Sequence, residues 1–289
     1  NPITTINFVD IGQGDCLLVR QYFKNFMIDT GGSYKSEDKS GTYLVEYLNK
    51  IGLNSLDYIF LTHFDEDHSK NLIDINKSYN PIVLSRTNGE KVLRSKYNQN
   101  NHYVNLQDNQ LIKIGNVYIK VIDKPISDEE NDKSIVYKVY VNDISLLITG
   151  DISGEYERNI LNEDITSDIL KISHHGSKNS SDLNFLKKVN PKLSIISVGR
   201  RNDYGHPHHQ TLDNLNKLNI PVKRTDKDGN IEIVSSKIFN TIRSNRDRYS
   251  ILNFIIKEQN SIITTIFVLI YFKNRGAKDG FFIGETKIR

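Results

Sequence analysis

A lone cysteine, Cys16, rules out an internal disulfide, and its place in the run Cys16-Leu17-Leu18-Val19 marks it as a small buried strand residue in preference to a nucleophile. An excess of charge of one sign is also missing. Lysine and arginine number 38 against 35 aspartates and glutamates, so there is no broad basic field of the kind that holds non-specific nucleic-acid binders, and any nucleic-acid contact has to be local. Long apolar runs are absent as well: the most apolar stretch, 262 to 272, is about half the roughly 20 residues that span a bilayer, which excludes a transmembrane helix there. No leading segment joins a basic start to an apolar stretch and a small-residue cleavage site, so a cytoplasmic location is expected. Internal repeats are not found.

What is present suits one large domain, or a domain with an appendage: 37% of the 289 residues are hydrophobic, enough for a substantial core. Short apolar runs recur with strand character at Ile3–Phe8, Phe26–Ile28, Asp57–Leu61, Val117–Ile122, Ile135–Val141, Ile144–Ile148, Ile169–Ser173 and Leu193–Val198. Helices are expected after a Ser40 cap, with Leu44, Tyr47, Leu48 and Ile51 on one face and Gly52 as the stop, and around 155–161 and 182–189. The polar stretch from Asn88 to Asn109 has no sustained period and reads as an irregular insertion beside the site, suited to substrate selection. Past about Lys237, two β-branched runs, 251–256 and 262–272, are separated by Lys257-Glu258-Gln259-Asn260 and suit a hairpin. The expected division is therefore a domain over 1–240 and a β-rich extension over 241–289 that packs on the domain or on a protein partner.

The most informative segment is Thr62-His63-Phe64-Asp65-Glu66-Asp67-His68, which follows a strand and collects two histidines and two carboxylates at a spacing that lets them converge on cations. Further polar clusters end other strand-like runs: Asp29-Thr30-Gly31-Gly32, Gly150-Asp151, His174-His175-Gly176-Ser177 and Tyr204-Gly205-His206-Pro207-His208. In a layered α/β arrangement, strand ends of this kind meet along one edge. If His174 and His175 end an extended strand, only one of them faces inward. Gly12-Gln13-Gly14, flanked by Asp10 and Asp15, lacks dinucleotide-loop spacing and suits a close backbone approach to the site. Asp29 fits an orienting group better than a ligand. His102, His208 and His209 read as plain exposed histidines.

With these motifs in this order, from Phe8–Cys16 through His63-x-Asp65-x-Asp67-His68, Gly150-Asp151, Ser173–Ser177 and Tyr204–Pro207, the chain resembles the metallo-β-lactamase-fold hydrolase superfamily over about residues 3 to 235. Within it, the chain is similar to the C-terminal hydrolase domain of ComEC-type DNA-uptake proteins of bacteria. The resemblance implies an α/β fold, an αββα sandwich of two mixed β-sheets flanked by helices. It also implies a two-metal site in which His63 and Asp65 serve one cation, Asp67 and His68 the other, Asp151 bridges both and His206 is a last ligand. Two departures stand out: Asp65 occupies a position where the superfamily usually has histidine, and Asn131–Val136 supplies no histidine where a further ligand usually stands. One of His174 and His175 fills that gap, with His175 favoured as the ligand. Carboxylate in place of imidazole hardens the site, so the expected cofactors are two divalent ions, Zn2+ or Mn2+.

The chemistry expected from such a centre is hydrolysis of phosphodiester bonds by a bridging hydroxide, with Asp67 in the machinery and His174 or Tyr204 assisting the leaving group. DNA is the first substrate expectation. A small phosphodiester, as in the phosphorylcholine esterases of the same branch, or a role as a regulated subunit docking a partner through the C-terminal strands, are the alternatives. Lys70, Lys171, Lys178, Arg200 and Arg201 lie in or near the motif loops and are the expected phosphate contacts.

Overall fold

The computed structural model describes residues 3–22, 24–32, 41–98, 101–236, 240–245 and 252–254. The chain opens with β1 (Thr4–Phe8), β2 (Leu17–Arg20) and β3 (Asn25–Ile28), then α1 (Gly41–Lys50), β4 (Tyr58–Phe60), α2 (Glu66–Ser69), α3 (Leu72–Tyr79), β5 (Ile82–Ser85), α4 (Gly89–Tyr97) and β6 (His102–Asn105). It continues through β7 (Leu111–Ile114), β8 (Val117–Ile122), β9 (Val136–Val141), β10 (Ile144–Ile148), α5 (Gly154–Asn159), β11 (Ile169–Lys171), α6 (Leu183–Val189) and β12 (Leu193–Ile196). Last come α7 (His209–Lys217), β13 (Val222–Arg224), α8 (Thr225–Asp228), β14 (Ile231–Ser235), β15 (Asn240–Ser244) and β16 (Leu252–Phe254).

Among the described residues these strands form two sheets, ordered β16-β15-β14-β1-β2-β3-β4-β5-β6 and β13-β12-β11-β10-β9-β8-β7. Both are mixed. The first turns parallel at β3-β4-β5-β6, the second at β10-β11-β12-β13. Each sheet is apolar on both faces, as expected of strands covered on both sides. Phe8, Phe26, Phe60, Val121, Tyr137, Ile148 and Ile195 fill the space between the sheets. Leu18, Met27 and Ile59 face outward onto Leu44 and Leu48 of α1 and Leu72 and Ile75 of α3. On the other side, Leu147, Leu170 and Ile196 face Tyr156, Phe185 and Leu215. The result is the expected αββα sandwich.

The strand and helix expectations hold within one or two residues at most positions; Ser40, the expected cap of α1, lies outside the described residues. The stretch from Asn88 to Asn109 is a correction. It is no irregular insertion but α4 followed by β6, which pairs in parallel with β5. The period was too thin to read because, of the side chains of α4, Leu93 alone is fully buried, and β6 is a half-exposed edge strand. At the far edge, β15 pairs antiparallel with β14 and β16 with β15, so the ladder of the first sheet runs past residue 240. The second expected tail strand, 262–272, and with it most of the 241–289 extension, lies outside the described residues.

Two contacts lock the sheets where the site begins. Phe60 sits edge-on between Phe26 and Tyr137, with ring centroids 5.7 Å apart in each pair. Tyr137 donates its hydroxyl to the Leu61 carbonyl at 2.7 Å, tying β9 to the segment that leads into the His63 motif. Removing that hydroxyl strands a buried carbonyl, so Tyr137→Phe is expected to cost about 1–3 kcal/mol in chemical denaturation, and Phe60→Ala about 3–5 kcal/mol. Wild-type denaturation midpoints in both variants would mean that this junction does not hold the sheets.

Candidate metal centre

Parallel strands deliver their carboxyl ends to one edge, and the site is built there from the loops that follow them. After β3, Asp29 takes a left-handed conformation (φ 56°) and is fully buried. Its carboxylate accepts from the Thr62 amide at 2.8 Å, the Thr62 hydroxyl at 2.7 Å and His68 Nδ1 at 2.8 Å. With its hydrogen given to Asp29, the Thr62 oxygen is the acceptor for His63 Nδ1 at 3.0 Å. After β12, the Ser197 carbonyl accepts from His175 Nδ1 at 2.9 Å. Three imidazoles are thus held by Nδ1, and a ring held in this way presents Nε2 for a ligand.

Those Nε2 atoms meet carboxylates. His68 Nε2 is 3.2 Å from Asp151 Oδ1; His175 Nε2 is 3.1 Å from Asp67 Oδ2 and 3.3 Å from Asp151 Oδ2; His63 Nε2 is 3.7 Å from Asp65 Oδ2. Asp67, His68, Asp151 and His175 bring one ligand atom each within 4.8 Å of one another. Gly150 makes this possible for Asp151: at φ 56° a side chain there would press on Thr62 and Ser134. The His63 ring lies 4.1 Å from that of His68, and the His206 ring 5.6 Å from His174 and 6.4 Å from His175.

The electrostatics describe a place that wants cations. Burial would strip the proton from His175, but Asp151 and Asp67 outweigh it and push its pKa up to about 10. Burial likewise opposes a charge on His68, and Asp151, Asp29, Asp15 and Asp67 together raise it well above the usual range. Burial favours neutral Asp151, yet His175 and His68 hold it well below the carboxylate range, and Asp67 is lowered by the same two histidines. His63 and His174 are lowered chiefly by burial, and His206 falls to about 4 for the same reason. His63 Nε2, His68 Nε2, Asp151 Oδ1 and His206 Nδ1 are buried without a hydrogen-bond partner. Imidazole and carboxylate donors arranged in this way suit a divalent metal site.

The adjacent histidines correct the strand-end premise. β11 stops at Lys171, and His174 and His175 both take left-handed conformations (φ 48° and 52°), so alternation does not apply and both rings reach the site. His175 is inside; His174 is partly exposed at the rim, Nε2 3.8 Å from Asp151 Oδ2. Buried Glu157 of α5 shapes this loop by accepting from Ser173 Oγ at 2.8 Å and from the Ser181 amide at 2.7 Å. Tyr204, 67% exposed, stacks on His206. Lys171 is a second correction: its side chain is 2% exposed and ion-paired to Asp15, so it cannot reach a phosphate backbone. Lys178, Arg200 and Arg201 are exposed, while Lys70 lies 3.5 Å from Glu66.

Sequence reasoning missed Asp15 as a side chain of the site and Glu130 as a support. Asp15 donates its amide to the Asp67 carbonyl at 3.0 Å, and Gly14 beside it (φ 140°) has no room for a side chain against Asp67; that glycine was the available signal. Glu130 accepts from the Phe64 amide at 2.9 Å and from Arg86 through both oxygens at 2.8 Å, so the stretch around Asn131, which supplies no histidine, braces the His63 motif instead.

A family model described as the metallo-beta-lactamase superfamily matches residues 9–200. ComE operon protein 3 of Bacillus subtilis is 32% identical over 251 residues, which cover 78% of this chain and 32% of that protein. Competence protein ComA of Neisseria gonorrhoeae is 27% identical over 226 residues, 77% of this chain and 31% of that one. The chain spans about a third of the length of these curated relatives. Among solved structures, the metallo-beta-lactamase fold protein YhfI of Bacillus subtilis is similar at a TM-score of 0.59 and 12% identity, covering 81% of this chain and 100% of that chain, a likeness of fold.

In metal-free protein the histidine protons hold the carboxylates together. A folded-state pKa of about 10 against an ordinary 6.5 stabilises the fold fully below pH 6.5 and is lost as pH rises towards 10. Chelator-treated protein is therefore expected to melt at progressively lower temperature across that window. Zinc or manganese added at the alkaline end should restore the melting temperature. A flat or rising melting temperature would contradict the grip of Asp67 and Asp151 on His175.

Proposed function

The chain belongs to the metallo-beta-lactamase superfamily, and from that membership we propose that it is a metal-dependent phosphodiesterase, a DNA nuclease in the first place, working with two divalent cations, zinc or manganese. The observation that carries this reading is the convergence of His68 Nε2, His175 Nε2, Asp67 and Asp151 at aligned strand ends. His63 and Asp65 would hold one cation and Asp67, His68 and His175 the other, with Asp151 and His206 as further residues able to hold them. Bound there, the cations would lower the pKa of a water and neutralise charge that develops on a phosphate.

The chain's own groups do the rest. Asp29, Thr62 and the Ser197 carbonyl keep three imidazoles turned inward before any cation arrives. Asp67 remains a carboxylate at all working pH values. His174 is neutral near pH 7, because burial depresses it, and its partly open Nε2 is placed to hydrogen-bond a phosphate or leaving-group oxygen. Tyr204 stands outermost, available to the leaving group. DNA is favoured by the competence relatives and by the exposed cations Lys178, Arg200 and Arg201 in the motif loops.

Asp67→Ala and Asp151→Ala are each expected to abolish turnover of linear DNA with manganese or zinc while the metal-free protein still folds, at lower stability, because relief of carboxylate repulsion only partly offsets the lost pairing with His68 and His175. Wild-type rates in either variant, at matched metal content, would show that the reaction occurs elsewhere. With a small net charge, DNA binding should follow a modest salt dependence, each phosphate neutralised adding about −0.9 to the log-log slope. Binding that ignores salt, alongside efficient cleavage of a chromogenic phosphodiester, would shift the reading to a small-molecule substrate. A partner docked through the C-terminal strands would show as changed association, with activity kept, on truncation from Ile251.

A further inference from the structure

Lys171, the last residue of β11, has no part in the reaction just described, yet it is the buried cation nearest the centre among the described residues. Its ammonium pairs with Asp15 Oδ2, donates to the Gly150 carbonyl at 3.1 Å and lies 3.7 Å from Asp151 Oδ1. Asp15 in turn stands behind both inward-facing rings, its Oδ1 3.6 Å from His175 Nδ1 and its Oδ2 3.8 Å from His68 Nδ1. Asp15, Asp29 and His68 form a second cluster whose ligand atoms lie within 4.8 Å of one another, on the Nδ1 side of His68. Two clusters therefore share one imidazole, and Lys171 serves the rear one.

We propose that Lys171 is a built-in cation of the metal centre, held by Asp15, which fills the rear carboxylate cluster so that exchangeable metal goes to the front one, and which sets how strongly Asp151 attracts that metal. The inference rests on the metal-centre reading given above. Two divalent cations and one ammonium balance the carboxylates of Asp15, Asp29, Asp65, Asp67 and Asp151; the two cations alone leave one buried negative charge without a counter-charge, which is costly. Lys171 is thus a positioning residue. It touches no substrate, and it acts through Asp15 and Asp151.

The signs separate this role from a merely structural one. In Asp15→Asn the ammonium has only Asp151 left to pair with and competes with metal for it, so affinity should fall by about 10- to 100-fold, the usual range for losing a group behind a ligand. In Lys171→Met the competitor is gone and affinity should rise. The double variant removes both charges and should return to within about threefold of wild type, since the pair is neutral as a whole. A scaffold role would weaken metal binding in all three.

Calorimetric titration of the chelator-treated full chain with zinc and with manganese, paired with thermal unfolding of the metal-free forms, reads this directly. Melting temperatures lower in the single variants than in the double one are expected from a buried charge pair. If Lys171→Met fails to fold, Asp15→Asn and the double variant decide: recovery of affinity in the double supports the inference, and a double variant as weak as Asp15→Asn overturns it. Wild-type protein that takes up no metal would instead overturn the parent reading, and this inference with it.

Discussion

Mutual repulsion of carboxylates is the constraint around which this molecule is arranged. Asp15, Asp29, Asp67 and Asp151 come together behind and between His68 and His175, mostly out of water. Two such charges about 4 Å apart repel by about 4 kcal/mol at an effective dielectric of 20. Nothing in a sheet or helix compensates for that, so the fold supplies donors at every side: the Thr62 amide and hydroxyl, the Lys171 ammonium and the imidazoles. The close backbone approach at Gly14 and Gly150 is the steric counterpart of the same demand. A side chain at Gly14 would collide with the Asp67 backbone, and one at Gly150 with Thr62 and Ser134.

The outward side of the site is built differently. His174 and Tyr204 are partly or largely exposed, and the cations in the adjoining loops are scattered. Such a surface does not attract polyanions from a distance, and it leaves discrimination to short-range contacts at the rim. The interior is rigid and over-determined by hydrogen bonds.

How much of this could be read from residues alone depended on how locally each feature is encoded. The His63–His68 cluster announces itself because strand, turn and ligands are contiguous, and most strands stand out because both faces of each sheet are covered and the runs are continuously apolar. α4 and β6 escaped notice because a polar helix with one fully buried side chain and an edge strand carry little pattern. The geometry of the paired histidines was hidden for a different reason: both are left-handed in a loop that Glu157, more than a dozen residues away in sequence, anchors at Ser173 and Ser181. Lys171 and Asp15 are more than 150 residues apart in the chain, and their pairing is a product of tertiary structure that no local spacing records.

The tie between Tyr137 and Leu61 has a consequence for the order in which the molecule is made. Residues 58–68 leave the ribosome with their histidines and carboxylates complete, but the strand bearing Tyr137 and the loops bearing Asp151 and His175 follow only after some 70 to 110 further residues. Until then no second sheet exists to shut the gap behind His63. A nascent chain therefore carries the acidic, histidine-bearing segment before it carries the residues that complete the cluster. The grouping of Asp67 and His68 with Asp151 and His175 exists only once the second sheet has docked, so closure of the sandwich is the step that turns a local motif into a cluster.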